Sequence, residues 1–281
     1  MRGERAEELR RVAEQVAGEA AAFVRSRRTQ LFGSARQPSA VRAKSTPTDP
    51  VTLADTETER LVRDRLTQLR PGEAILGEEH GQEQGEGQDR APGTGAVNWV
   101  VDPIDGTVNF IYGIPAYAVS LAAQVDGVSV AGAVADVCAC QVYSAAVGRG
   151  AWVTAGDERT ALRCTGVTEL SMALVSTGFG YEPRRRAAQA ALLAELLPHV
   201  RDVRRIGSAA LDLCAVAAGR LDAHYEHGLN LWDWAAGALI AAEAGAVVVL
   251  PDRPAGLLVA AAPGVASDLI EALRRHAPPM T

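Results

Sequence analysis

Val101-Asp102-Pro103-Ile104-Asp105-Gly106-Thr107-Val108-Asn109-Phe110 is the stretch on which the reading turns. The apolar run Val97 to Val101 predicts a buried strand. Asp102 is expected where that strand stops, because Pro103 lacks the N–H needed to continue a ladder. Asp105-Gly106 predicts a sharp turn, which brings two carboxylates and the Ile104 carbonyl to one side of a bend. That is an oxygen-rich cation site in outline. Asp-Pro and Asp-Gly are also ordinary turn formers, so the segment alone leaves both readings open.

Two more acidic islands change the balance. Gly77-Glu78-Glu79 follows the strand-like Ala74-Ile75-Leu76, and Trp232-Asp233 opens a helix-like run from Trp234 to Ala244. Each places acid at the end of an element, where it can face a cleft rather than a core.

The chain has 281 residues, which suits one large domain or two fused halves with a substantial core. Its net charge is -6, and no basic block is long enough to suggest direct nucleic-acid binding. Of the basic clusters, Arg25-Ser26-Arg27-Arg28 and Arg184-Arg185-Arg186 read as solvated helix ends or faces, and Arg204-Arg205 stays open. Glu4, Glu7, Glu8, Glu14 and Glu19 argue against a transit peptide at the Arg-rich N-terminus. Leu9, Val12, Ala13, Val16, Ala17, Ala20 and Val24 follow helical spacing, predicting an amphipathic helix packed on the body. No apolar run reaches the roughly 18 residues a bilayer span needs, so a cytoplasmic protein without membrane contact is expected.

Cys138, Cys140, Cys164 and Cys214 form no zinc-binding pattern. They read as reduced, buried thiols, with Cys138 and Cys140 on one strand face. The five histidines show no ligand spacing, though His80 beside Glu78-Glu79 could reach a site.

Gly33 to Pro50, with Lys44, reads as a long mobile connection, and Gln82 to Gly95 as an exposed excursion. Asp55 to Leu69 is a helix closed by Pro71-Gly72. Val119 to Val125 and Val128 to Val137 flank Asp126-Gly127, a strong hairpin signal. Beyond about residue 160, short strands near Ala173, Val203, Leu221 and Val247 alternate with helices. Two halves are therefore expected: residues 1–158, α+β with an antiparallel sheet and most of the acid, and residues 159–281, α/β, supplying Glu226 and Asp233. A site built from both would lie between them.

Asp49-Pro50-Val51-Thr52-Leu53-Ala54-Asp55, Gly77-Glu78-Glu79, the Asp102 to Phe110 segment and Trp232-Asp233-Trp234-Ala235-Ala236-Gly237 through Glu243-Ala244-Gly245 together resemble the inositol monophosphatase family. Order and approximate spacing match over nearly the whole chain. Tyr112 to Tyr117 and Arg204 to Asp212 look closest to the family's actinobacterial members. Ala246, where the family often has a second Gly, departs from the pattern and puts a turn in doubt.

The resemblance implies an alternating α/β/α/β/α sandwich of the inositol monophosphatase and fructose bisphosphatase type. It also implies two or three magnesium ions, lithium sensitivity and a homodimer. Glu78, Asp102 and the Ile104 carbonyl would hold the first ion, and Asp102, Asp105 and Asp233 the second. A third would lean on Glu78 and waters. Hard oxygen ligands suit magnesium, which retains waters of its own.

Thr107 and Asp55 resemble the family's hydrogen-bonded pair that, with Glu78, deprotonates the attacking water. Asp105, Gly106, Thr107 and Asp233 would contact the phosphate ester, with backbone N–H groups of Gly106 and Thr107 donating to its oxygens. Glu226, seven residues before Asp233, matches the inositol-hydroxyl ligand, and Gly207-Ser208-Ala209 its backbone contact. Lys44 matches a loop lysine near the metals. The implied activity is magnesium-dependent hydrolysis of myo-inositol 1-phosphate, a small phosphorylated polyol. Fructose 1,6-bisphosphate, histidinol phosphate and adenosine 3',5'-bisphosphate are same-fold rivals, and a protein-binding role in transcription is a rival of another class.

Overall fold

The computed structural model describes residues 2–33, 41–43, 50–83, 95–253 and 256–276. Lys44, and most of the two polar connections expected between Gly33 and Pro50 and between Gln82 and Gly95, lie outside the described residues.

The first helix, α1 (Arg2–Phe32), buries Leu9, Ala13, Val16, Ala17, Ala20 and Val24 along one stripe. Each such valine or leucine stabilises the fold by about 1.5–3 kcal/mol relative to its exposed state. The Arg25 to Arg28 cluster is partly solvated, with Arg25 and Ser26 exposed, but its arginine heads have partners. Arg25 donates to the Val137 carbonyl at 2.8 Å, Arg27 pairs with Glu57 at 2.6 Å, and Arg28 lies 4.9 Å over the Phe32 ring. Long arginine stems cover apolar surface while the heads find partners.

β1 (Val41–Ala43) and β2 (Pro50–Thr52) form a small antiparallel pair. Helix α2 (Leu53–Leu69) starts two residues earlier than Asp55 because Thr52 caps it. The Thr52 hydroxyl accepts from Ala54 N at 3.1 Å, and the Asp55 carboxylate accepts from Thr52 N at 2.9 Å. This reciprocal cap fixes Asp55 in the first turn.

An eight-stranded sheet follows, from β3 (Ala74–Gly77), β4 (Gly81–Glu83), β5 (Val97–Asp105), β6 (Ala118–Val125), β7 (Val128–Asp136), β8 (Gln141–Ala146), β9 (Ala151–Ala155) and β10 (Glu158–Ala161). Helix α3 (Thr107–Tyr112) lies between β5 and β6. The strand order is β10-β9-β8-β7-β6-β5-β3-β4, antiparallel except for the β3–β5 pair. The predicted hairpin closes at Asp126 (φ 52°) and Gly127 (φ 79°), both left-handed as a two-residue hairpin turn requires.

Two expectations in this half are corrected. β5 does not stop at Asp102; it runs to Asp105, with a register shift against β6 between Asp102 and Asp105. A bulge tolerates Pro103 because its missing N–H is not needed there. Cys138 and Cys140 lie in the turn between β7 and β8, not on a strand face. All four cysteines are free, but only Cys214 is fully buried and Cys140 is exposed.

The second sheet contains β11 (Leu174–Thr177), β12 (Asp202–Arg204), β13 (Ala223–His227), β14 (Val247–Val249) and β15 (Leu257–Ala261), in the order β12-β11-β13-β15-β14. β11 pairs in parallel with both neighbours, whereas β15 runs antiparallel to β13 and β14. β15 escaped the sequence reading because its apolar run merges into the following Ala-rich stretch. The helices are α4 (Pro183–Leu196), α5 (Ala209–Ala217), α6 (Leu231–Glu243) and α7 (Pro263–His276).

The layers alternate as α/β/α/β/α. α1 and α2 cover one face of the large sheet, α5 and α6 fill the space between the sheets, and α4 and α7 close the far side. A helix between two sheets must be apolar nearly all round and slim. α6 meets this with buried Ala235, Ala236, Gly237, Ala238 and Ala241. A Cβ on Gly132 of β7 would come within 3.1 Å of Ala236, so small residues on both sides set the spacing. The turn after α6 closes with Ala246 in place, its N–H reaching the Ala241 carbonyl at 3.0 Å beside Gly245 at φ 95°. Glu243 then clasps the β8–β9 turn, accepting from Gly148, Arg149 and Gly150 at 2.8, 3.1 and 2.8 Å.

Candidate active site

The cleft is assembled from the C-terminal end of β5 and the N-terminal ends of α5 and α6. At the β5 bulge, Asp102 Oδ1 accepts from Ile104 N at 3.0 Å, so the carboxylate is fixed by the backbone it interrupts. Asp105, at the end of the same strand, reaches into the second half. Ser208 Oγ donates to it at 2.5 Å and Ala210 N at 2.7 Å, at the start of α5. Asp233, in the first turn of α6, accepts from Asn230 N at 2.6 Å. One ligand oxygen from each of Asp102, Asp105 and Asp233 lies within 4.8 Å of the others.

Two of the clustered carboxylates resist ionisation. Burial pushes Asp105 up to about 6, against the lowering hydrogen bonds from Ser208 and Ala210. Burial also holds Asp233 well above the carboxylate range, with the charges of Asp105 and Glu78 adding to the effect. A hard dication relieves this strain directly, and an all-oxygen donor set is the kind magnesium or a similar ion prefers. The residues therefore fit a metal centre.

Glu78 lines the same cleft but is not one of that close trio. Its N–H donates to the Val101 carbonyl at 3.2 Å. The turn that carries it is held by Glu59, a buried acid the sequence reading missed. Glu59 accepts from Glu79 N at 2.7 Å, His80 N at 3.1 Å and Arg63 Nε at 2.9 Å. A Cβ on Gly77 would overlap the Glu59 carboxylate, so glycine is required there. His80 Nδ1 sits 3.0 Å from Glu59, and His80 is not among the cleft-lining residues. The only signal for Glu59 was its place four residues before Arg63 on α2.

Thr107 Oγ1 lies 3.1 Å from Asp55 Oδ1 and 3.1 Å from the Ile104 carbonyl oxygen. Gly106 caps α3 at φ 95°, and a Cβ there would come within 3.0 Å of the Ala116 carbonyl and 3.1 Å of the Gly207 carbonyl. Asn109 ties the halves together, donating to the carbonyls of Ala116 at 2.7 Å and Ile206 at 2.9 Å.

The cleft has a volume of about 770 Å³, within the range of ~300–1,000 Å³ usual for small-molecule sites. Asp102, Ile104, Asp105, Gly106, Thr107, Gly207, Ala209, Glu226 and Asp233 all line it; Asp55 stands behind Thr107. Glu226 is not an exposed strand-end acid. Its side chain is 12% exposed, and burial, then the charge of Asp105, push it up to about 8 against the pull of Arg205. The arginine clusters divide. Arg185, Arg186 and Arg205 line the cleft, so the Arg184 to Arg186 run is more than a solvated face. Arg204 turns away to Asp202 at 2.6 Å.

No described helix is long and apolar enough to cross a membrane. The family model described as "Inositol monophosphatase family" matches residues 5–278. An inositol-1-monophosphatase from Mycobacterium leprae is 66% identical, covering 96% of this chain and 94% of its own. The solved structure of Mycobacterium tuberculosis SuhB superposes with a TM-score of 0.81 at 61% identity, over 96% of this chain and 97% of that one. A protein named Nus factor SuhB from Pasteurella multocida is 37% identical over 80% of this chain and 83% of its own. With the motifs in register, the sandwich reproduced and the acids gathered in one cleft, the chain belongs to the inositol monophosphatase family, a metal-dependent family.

Proposed function

We propose that this protein is an inositol-1-monophosphatase, hydrolysing myo-inositol 1-phosphate to inositol and phosphate with magnesium as its cofactor. The carrying observation is the meeting of Asp102, Asp105 and Asp233 within 4.8 Å in a cleft that also holds Glu226. Asp102, Asp105 and Asp233, with Glu78 and the Ile104 carbonyl, would hold two ions, and a third would rest on Glu78. Such ions, when bound, neutralise phosphate charge, acidify the attacking water and stabilise the departing alkoxide.

The protein's own groups do the rest. Thr107 and Asp55, with Glu78, orient the attacking water and take its proton. The N–H groups of Gly106 and Thr107 donate to phosphate oxygens. Glu226 accepts hydroxyls of the ring, and the backbone at Gly207 and Ala209 closes on its far edge. No side chain needs to form a covalent intermediate. The lithium sensitivity and homodimer implied by the family belong to the same proposal.

Arg185, Arg186 and Arg205 favour a second substrate, because three guanidinium-bearing residues on the cleft wall suit a second anionic group. A polyol bisphosphate such as fructose 1,6-bisphosphate is that substrate. Initial rates for inositol 1-phosphate, fructose 1,6-bisphosphate, histidinol phosphate and adenosine 3',5'-bisphosphate at one magnesium concentration rank these readings. A preference for inositol 1-phosphate is expected. Absence of magnesium-dependent phosphate release from all four would overturn the enzymatic reading and leave the protein-binding role in transcription as the remaining one.

A further inference from the structure

Beneath Glu226 lies a buried polar chain that the hydrolytic reading does not use. Ser176 on β11 and His224 on β13 are paired residues of neighbouring strands, and Asp212 approaches from α5. Their exposures are 0%, 0% and 1%. Ser176 Oγ is 2.9 Å from His224 Nδ1, and the Asp212 carboxyl lies near enough to the Ser176 hydroxyl to feel it. His224 Nε2 has no hydrogen-bond partner, nor does Asp212 Oδ1. Buried polar atoms left this way are uncommon. The group nearest to the free imidazole nitrogen among the ion-pair contacts is Glu226 Oε2, at 3.8 Å. Across the sheet, a Cβ on Gly178 would overlap the Glu226 carboxylate, so Glu226 lies flat against the end of β11.

We propose that His224, backed by Ser176 and Asp212, is a positioning residue for Glu226: its Nε2–H points at the carboxylate and holds it as a hydroxyl acceptor facing the cleft. This deepens the inositol reading and rests on Glu226 accepting substrate hydroxyls. Hydrogen bookkeeping selects the arrangement. Once Glu226 is ionised, above about 8 in the metal-free protein, its carboxylate only accepts, so the nitrogen facing it carries the hydrogen. The other nitrogen of a neutral ring then accepts from Ser176. With its one hydrogen committed, Ser176 accepts in turn, and Asp212 is the donor at the end of the chain. Burial keeps the imidazole neutral, pushing it down to about 3, and drives Asp212 well above the carboxylate range. The 3.8 Å gap is longer than a hydrogen bond and closes when substrate hydroxyls draw up the carboxylate.

Two measurements test this. The first is the ratio of kcat/KM for inositol 1-phosphate to that for p-nitrophenyl phosphate, which has no polyol. His224→Leu and Ser176→Ala should each lower the ratio about tenfold, equivalent to about 1.4 kcal/mol. His224→Gln, whose amide N–H can stand near the Nε2 position, should keep most of it. In a Glu226→Gln background, His224→Leu should cause no further fall. The second is the ¹⁵N spectrum of the wild-type protein at a pH above the Glu226 value of about 8, where His224 should show the Nε2–H tautomer. If Glu226→Gln lowers the ratio while His224→Leu and Ser176→Ala leave it unchanged, the positioning role alone fails. The Nδ1–H tautomer would also overturn it. If Glu226→Gln leaves the ratio unchanged, the reading of Glu226 fails and this proposal with it. Should His224→Leu not fold, Ser176→Ala and the wild-type spectrum still decide.

Discussion

The Thr107 hydroxyl stands 3.1 Å from Asp55 Oδ1, while Asp55 Oδ2 accepts the Thr52 N–H at 2.9 Å. One carboxylate therefore both caps α2 and orients a cleft hydroxyl. The two roles are separable. Thr107→Val should lower kcat by about 100-fold or more with little change in KM or in denaturant midpoint. Asp55→Asn should cost comparable activity and also about 0.5–2 kcal/mol of stability, through the weakened cap. Steady-state kinetics and urea titration of both variants check this, and the double variant should be little slower than the worse single one because the pair acts as a unit.

Asp102 is held by Ile104 N at 3.0 Å and belongs to the close carboxylate trio. Asp102→Asn preserves shape and the bulge hydrogen bond but removes a charge. Turnover should fall by at least about 1,000-fold, with an unchanged circular dichroism spectrum. Wild-type activity at saturating magnesium would exclude this carboxylate from the metal centre.

The raised acids predict an unusual pH dependence for metal-free protein. Asp105 rises from 3.8 to about 6 and Glu226 from 4.5 to about 8 on folding, so the folded state binds the extra protons. Stability is then greatest below the unfolded values and declines as pH rises from about 4 to about 8. The Tm of metal-free protein should fall by several degrees over that window. Magnesium should raise Tm more at pH 8 than at pH 5, since ionised ligands bind it better. Differential scanning fluorimetry with and without a chelator measures both.

Glu59 fastens the turn carrying Glu78 through Glu79 N, His80 N and Arg63. Glu59→Ala leaves Arg63 buried without its carboxylate and should cost about 3–5 kcal/mol. Glu59→Gln keeps an acceptor and should fold, but with weaker magnesium affinity by about threefold to tenfold as Glu78 loosens. Calorimetric magnesium titration distinguishes the two. Unchanged affinity in Glu59→Gln would confine Glu59 to a structural role.

Asp126-Gly127, the Pro71-Gly72 stop and the helical stripe of α1 were legible in the sequence because neighbours only a few residues apart specify them, whereas the Thr52–Asp55 cap that starts α2 was not read. The acidic islands were legible for the same reason: each is a short turn or cap motif whose residue types are chemically restrictive. The sequence by itself determined these elements and the residues able to carry the chemistry, while the alternation of layers was an implication of the family resemblance. Tertiary structure decided the rest. Pro103 stayed inside β5 because pairing with β6 allows a bulge, and β15 became a strand because β13 offered an edge. Arg185 faces the cleft while Arg204 does not, and Ser176 meets His224 only through strand register. Local turns and caps depend on backbone preferences of adjacent residues, whereas these contacts join distant parts of the chain and exist only once the layers pack.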